Sequence, residues 1–250
     1  MAVAIAALLA YGFVYLPRKN SIAITNQASL VQNLSQNLAA AKGQLVSINT
    51  HVEAQSYGSA SSLADSYGKS ANALKFASLR PPAKLAAMPW DSAAKAYNIL
   101  IHEPGYKNMA DGSMGALKND RDYLQYQAAV WRDLAQLVEY SPAQDLADSA
   151  TAAQKQSEAK DGIAAIAQKL KSLPPYADAS MAEIMELVDQ AANSAANDSA
   201  EEFTATISQV QTEIISNRQA FTLTIQNEVI RKLTSAQTQA DIYIQHLRNL

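Results

Sequence analysis

Residues 24–52 read ITNQASLVQNLSQNLAAAKGQLVSINTHV. Within them Ile24, Val31, Leu34, Leu38, Ala41, Leu45, Ile48 and Val52 recur at steps of seven, three and four. That spacing brings an apolar side chain back to one face of an α-helix every turn or two. The residues between are mostly Asn, Gln, Ser and Thr, so only one face can be buried. A seam this regular predicts a long helix packed lengthwise on another helix.

The seam extends in weaker form through Ala60, Leu63, Tyr67, Ala71 and Leu74, up to Pro81-Pro82, which ends it because proline lacks the backbone donor and crowds the preceding turn. The predicted first helix therefore runs from about Ser21 to Leu79, about 90 Å long at 1.5 Å per residue. A matching seam closes the chain: Ile184, Val188, Ala191, Ala195, then Phe203, Ile207, Val210, Ile214, Phe221, Ile225, Val229, Leu233, Ala236, Ala240, Ile244 and Leu247. It opens with a capping box at Ser180 and Glu183, and a second box, Ser199 with Glu202, offers a break. Between the two seams the sequence predicts a short helix from Asp91 to His102 with Asp91 as its cap. Two half-length helices follow, Ser113 to Tyr140 and Ser141-Pro142 to about Leu173.

These lengths fit one arrangement. The expected fold is all-α: an elongated antiparallel helical bundle behind an N-terminal apolar anchor helix. A two-helix coiled-coil stalk, residues 20–50 and 215–250, carries a four-helix head, residues 51–214. Composition agrees. Hydrophobic residues make up 48% of the 250, and by count 48 of those are alanine, which suits narrow helix packing. Glycine and proline number only 8 each, too few for the turns of a sandwich or barrel.

Residues 2–16, AVAIAALLAYGFVYL, carry no charge, and Pro17-Arg18-Lys19-Asn20 stops the run. As a helix it spans about 22 Å, against a hydrocarbon core of about 30 Å. No basic stretch precedes it and no clean cleavage site follows. Residues 1–19 are therefore read as a membrane anchor, ahead of a signal-peptide core or a buried core helix. Tyr11 and Tyr15 suit a membrane interface, and Arg18 and Lys19 suit the headgroups. The membrane, reached through residues 2–16, is the first expected partner. The body is poor in Lys and Glu, rich in Ser, Asn, Gln and Ala, and free of cysteine, a composition that leans towards an extracytoplasmic bacterial protein.

Chemistry is notable for what it lacks. With 20 Lys+Arg against 23 Asp+Glu, the net charge of -3 argues against nucleic-acid binding. Without cysteine there is no thiol nucleophile and no zinc-thiolate site. His51, His102 and His246 lie far apart, and none has a histidine three or four residues away with which to hold a metal. Asp120/Asp122 and Glu183/Glu186 are carboxylate pairs without the Glu-x-x-His spacing of a di-iron bundle. No phosphate-binding glycine loop occurs. The expectation is a protein without cofactor, metal or catalysis.

One stretch departs from the alanine-rich heptads. Pro81 to Gly112 holds four of the eight prolines together with Met88, Trp90, Tyr97, Tyr106 and Met109. In the stalk-and-head arrangement it lies at the distal tip, about 90 Å from the membrane. Aromatics with adaptable methionine suit a partner surface, against the plainer reading that they plug the end of a bundle. The expected function is thus a non-enzymatic, membrane-anchored helical scaffold or adaptor that binds a protein partner or itself through this tip. A sensory four-helix module and an exported filament or toxin-like subunit are the alternatives.

Overall fold

The computed structural model describes residues 4, 7, 9–53, 59–76, 79, 82–138, 149–172, 179–217 and 220–250. Among the described residues the structure is all-helical, without a strand. A π turn, Tyr11–Tyr15, leads into α1, Leu16–Glu53. There follow α2, Ala60–Ala73; α3, Ser92–His102; α4, Pro104–Val138; α5, Ser149–Ser172; α6, Ala179–Asn197; α7, Ala200–Asn217; and α8, Ala220–Arg248.

The seam of residues 24–52 is buried as its spacing predicts, with Val31, Leu34, Leu38, Ala41 and Leu45 fully enclosed. Other expectations need correction. The first helix does not reach Leu79: it gives way to α2, which ends at Ala73, and residues 82–88 have no regular secondary structure. Backbone outside a helix must find other partners, and Asn98 of α3 supplies them at Leu85. The Leu85 N–H donates to Asn98 Oδ1 at 2.8 Å, and Asn98 Nδ2 donates to the Leu85 carbonyl at 2.8 Å. The next long helix begins at Pro104 rather than Ser113. Proline fits a first helical turn, where its missing N–H is not needed, and Gly105, Gly112 and Gly115 then continue as helix.

The closing helix is broken at Asp198-Ser199. The second capping box forms there: the Ser199 N–H donates to Glu202 Oε2 at 3.0 Å, and the Glu202 N–H to Ser199 Oγ at 3.3 Å. The Ser199 hydroxyl, which donates to the same Oε2 at 2.8 Å, and the Ser199 N–H together hold the Glu202 carboxyl below its usual range. Ser141-Pro142, Leu173 to Pro175, and the side chains of Ser180, Phe221 and Ile225 lie outside the described residues.

The chain divides into two compact units. The first comprises Met1–Gly43, Leu74–Asp120 and Val229–Leu250. In it α1 and α8 run antiparallel, tied by Ser35 Oγ donating to Asp241 Oδ1 at 2.6 Å and Arg248 Nη2 to Gln32 Oε1 at 2.8 Å. A bare helix pair was expected here, but α3 and the first part of α4 belong to the same unit. The second unit comprises Gln44–Ala73 and Arg121–Glu228. Tyr67 of α2 meets Tyr123 of α4 edge to face at 6.4 Å, Gln226 Nε2 donates to the Leu45 carbonyl at 2.7 Å, and α5, α6 and α7 pack on one another.

Among the described residues no helix is long and apolar enough to cross a membrane. A spanning anchor thus finds no support there; residues 1–3, 5, 6 and 8 lie outside them. Past Leu16 the helix continues as Pro17-Arg18-Lys19-Asn20, whose charges end the apolar run.

Candidate functional site

The most unusual surface of the first unit lies where the chain enters α1. Pro17 cannot donate to Phe13, four residues back, and its ring would crowd that carbonyl. The widened π turn just before it accommodates the proline: Leu16 N–H reaches five residues back, to the Tyr11 carbonyl. Leu9, Tyr11, Phe13, Val14 and Tyr15 of this segment are left between 49% and 65% exposed. Tyr11 and Tyr15 stack on each other with ring centres 5.4 Å apart.

The segment Ala86–Asp91 folds against it. Asn20 is the clamp: its Nδ2 donates to the Ala86 carbonyl at 2.9 Å and to Asp91 Oδ2 at 2.8 Å. Asp91 caps α3 as its position predicts, with Oδ1 accepting from the Ala94 N–H at 3.0 Å. Lys95 Nζ donates to the Pro89 carbonyl at 2.5 Å and holds the turn from the other side. These bonds set Trp90 flat on Phe13, ring centres 4.3 Å apart and planes 6° from parallel. The approach depends on Gly12, where an added Cβ would lie 3.1 Å from Met88 Cε and 3.4 Å from Trp90 Cζ2. Trp90 remains 50% exposed.

The five residues expected at a distal tip therefore separate. Met88 and Trp90 lie at the surface, but beside the N-terminal segment rather than far from it. Tyr97, Tyr106 and Met109 are buried and cannot touch a partner without opening the unit. Gln27 Nε2 donates to the Tyr106 hydroxyl, and Tyr106 meets Tyr243 edge to face at 5.6 Å. Burial pushes the Tyr97 phenol up to about 12, with the Tyr106 phenol adding to the effect. Gly105 allows the close approach of α8 here, since a Cβ would run into the Tyr243 hydroxyl. These residues are core, and they became so once residues 104–112 were helical.

Elsewhere the described residues offer little for chemistry. No three of His, Cys, Asp and Glu are grouped to hold a metal among them. His51 is exposed and bonded to the Ser47 carbonyl at 2.7 Å, and His246 lies against Tyr243. Asp120 is fully buried, with no hydrogen-bond partner on either oxygen, and burial raises its carboxyl to about 7. Buried Ser113 precedes it by seven residues, about 10 Å along the helix, too far for proton exchange. Among the described residues each unit carries a groove. One of about 860 Å³ follows α6 from Ala182 to Asp198. One of about 440 Å³ lies beside Asn20, Asp91 and Arg248. Neither gathers a nucleophile with a base.

No family model, curated protein or solved structure matches the chain.

Proposed function

We propose that the protein is a non-enzymatic helical scaffold held at a membrane by the apolar segment around Leu9–Tyr15, with the remaining helices available to a protein partner. The observation that carries this reading is the set of half-exposed apolar side chains gathered in one short segment and its covering loop, Leu9, Tyr11, Phe13, Val14, Tyr15 and Trp90. Leaving so many aromatic rings in water is costly, and such patches mark contact sites. Tyrosine and tryptophan favour the membrane–water boundary, where an apolar ring and a polar edge are both satisfied.

The scaffold part of the reading rests on the long buried seams and on the separation of the polar groups just described. A ligand-binding role is a second reading, favoured by the groove of about 440 Å³ beside Asn20 and Asp91, a volume within the range of small-molecule sites. Flotation of the full chain with vesicles of mixed natural lipids tests the membrane reading. The chain should rise with the vesicles, and Phe13→Ser with Val14→Ser should leave it at the bottom at unchanged helicity. If the unaltered chain stays at the bottom, the membrane reading is wrong.

A further inference from the structure

We infer that the Tyr11–Tyr15 turn and the Met88–Trp90 loop together form one docking face for an anionic lipid surface, on which the protein lies without crossing it. The inference rests on the membrane reading above and specifies how contact is made and with which lipid.

Three observations carry it. The first is that the N-terminal segment is covered on one side by protein. Gly12 is buried under Met88 and Trp90. A spanning helix is sheathed by lipid or by other apolar helices. Here the covering loop and the start of α3 place Asp91 on Asn20, with the Pro89 carbonyl and Lys95 bonded together beside Trp90. Backbone and charged groups of that kind are not tolerated in hydrocarbon. Only the side chains left exposed, Tyr11, Phe13, Val14 and Tyr15 of the segment and Trp90 of the loop, can meet lipid, which is the geometry of a segment lying in the interface.

The second observation is that the exposed rings come from two elements 77 residues apart, Phe13 and Trp90, stacked at 4.3 Å. Asn20 links those elements and buries no ring in doing so. It fixes Trp90 beside the turn, where a surface touching one touches the other.

The third is charge. No Asp or Glu precedes Glu53, while Arg18 and Lys19 follow the turn directly. Lys84 and Lys95 flank the loop, and the one acid within it, Asp91, is buried and bonded to Asn20 and the Ala94 N–H. The net charge of the whole chain is -3, so this cationic setting is local. Each Lys or Arg held near an anionic surface contributes about 1 kcal/mol, or roughly fivefold in affinity. A neutral surface or an apolar protein groove would gain nothing from it.

The test is binding of the full chain to vesicles of phosphatidylcholine alone and of phosphatidylcholine with phosphatidylglycerol. Circular dichroism checks each variant. The expected result is strong preference for the anionic vesicles, weakened by salt. Trp90→Ala should weaken binding by roughly 10-fold or more, as the loss of one buried ring implies. Lys84→Gln, which leaves the rings and the bonds that hold them in place, should reduce the lipid preference by roughly fivefold. Equal binding to both vesicles, with Trp90→Ala and the lysine variant unchanged, overturns the inference while the membrane reading stands. Absence of binding to either vesicle overturns both. Self-association abolished by Trp90→Ala, without vesicle binding, assigns the face to a second copy and also overturns the inference.

Discussion

Asp120 is the residue where the interior is least at ease. It is enclosed in α4 with both carboxyl oxygens unbonded, and burial raises its carboxyl from 3.8 to about 7. The folded state therefore keeps a proton that the unfolded chain loses between about pH 4 and pH 7. Unfolding releases that proton, so stability from this group declines as pH rises through the window and is lowest above it. Asp120→Asn removes the dependence: the variant's stability relative to the wild type should rise by roughly 1–3 kcal/mol between pH 5 and pH 8. Urea midpoints at the two values check this, and parallel pH profiles for the two chains would contradict it. The residue was open to sequence reading in one respect only. Leu117, Leu124 and Trp131 form a seam at steps of seven, and Asp120 falls between them three residues past Leu117. Ser113 and Gln127 lie seven residues to either side, and both are buried. An apolar seam interrupted by three polar positions reads as a face boundary, so charge type concealed burial.

At the scale of elements, the legible parts were those with a local cause. The Asp91 cap, the Ser199–Glu202 box and the end of α3 at His102 each depend on residues three or four positions apart, and each is present. The start of α4 was missed because Gly105, Gly112 and Gly115 each disfavour helix by about 1 kcal/mol relative to alanine. Tertiary contact outweighs that cost: Tyr106 and Met109 bury fully when the segment is helical. The non-helical stretch before α3 was unreadable in a different way, because the group that holds it at Leu85, Asn98, is thirteen residues away and on another element. Removing that group should release the stretch. Asn98→Ala leaves the Leu85 N–H and carbonyl without their partner, a loss of about 1–3 kcal/mol. Hydrogen exchange should show the Leu85 amide unprotected while amides within α3 keep their protection. Retained protection at Leu85 would show that the pairing with Asn98 contributes little.

For the molecule as a whole, the seams made an all-helical chain legible, and the antiparallel course of α1 and α8 in the first unit follows from their order and length. The position of Trp90 did not follow. A chain of uninterrupted helices carries residue 90 far from residue 13, but residues 82–91 are not helical, and Trp90 lies stacked on Phe13. The aromatic cluster that composition assigned to a distal partner site is in part core and in part neighbour to the apolar segment. The functional reading shifts accordingly, from a tip held away from a membrane to a face laid on one. Trp90 reports on that claim itself, because the chain has only 2 tryptophans and the other, Trp131, is buried with no described partner for its N–H. In a Trp131→Phe chain all indole emission comes from Trp90. Bound to vesicles containing phosphatidylglycerol with lipids brominated at graded depths, Trp90 should be quenched most by bromines near the headgroups and least by those at the bilayer centre. Emission unchanged by bromine at any depth, under conditions where the chain is bound, would contradict the account.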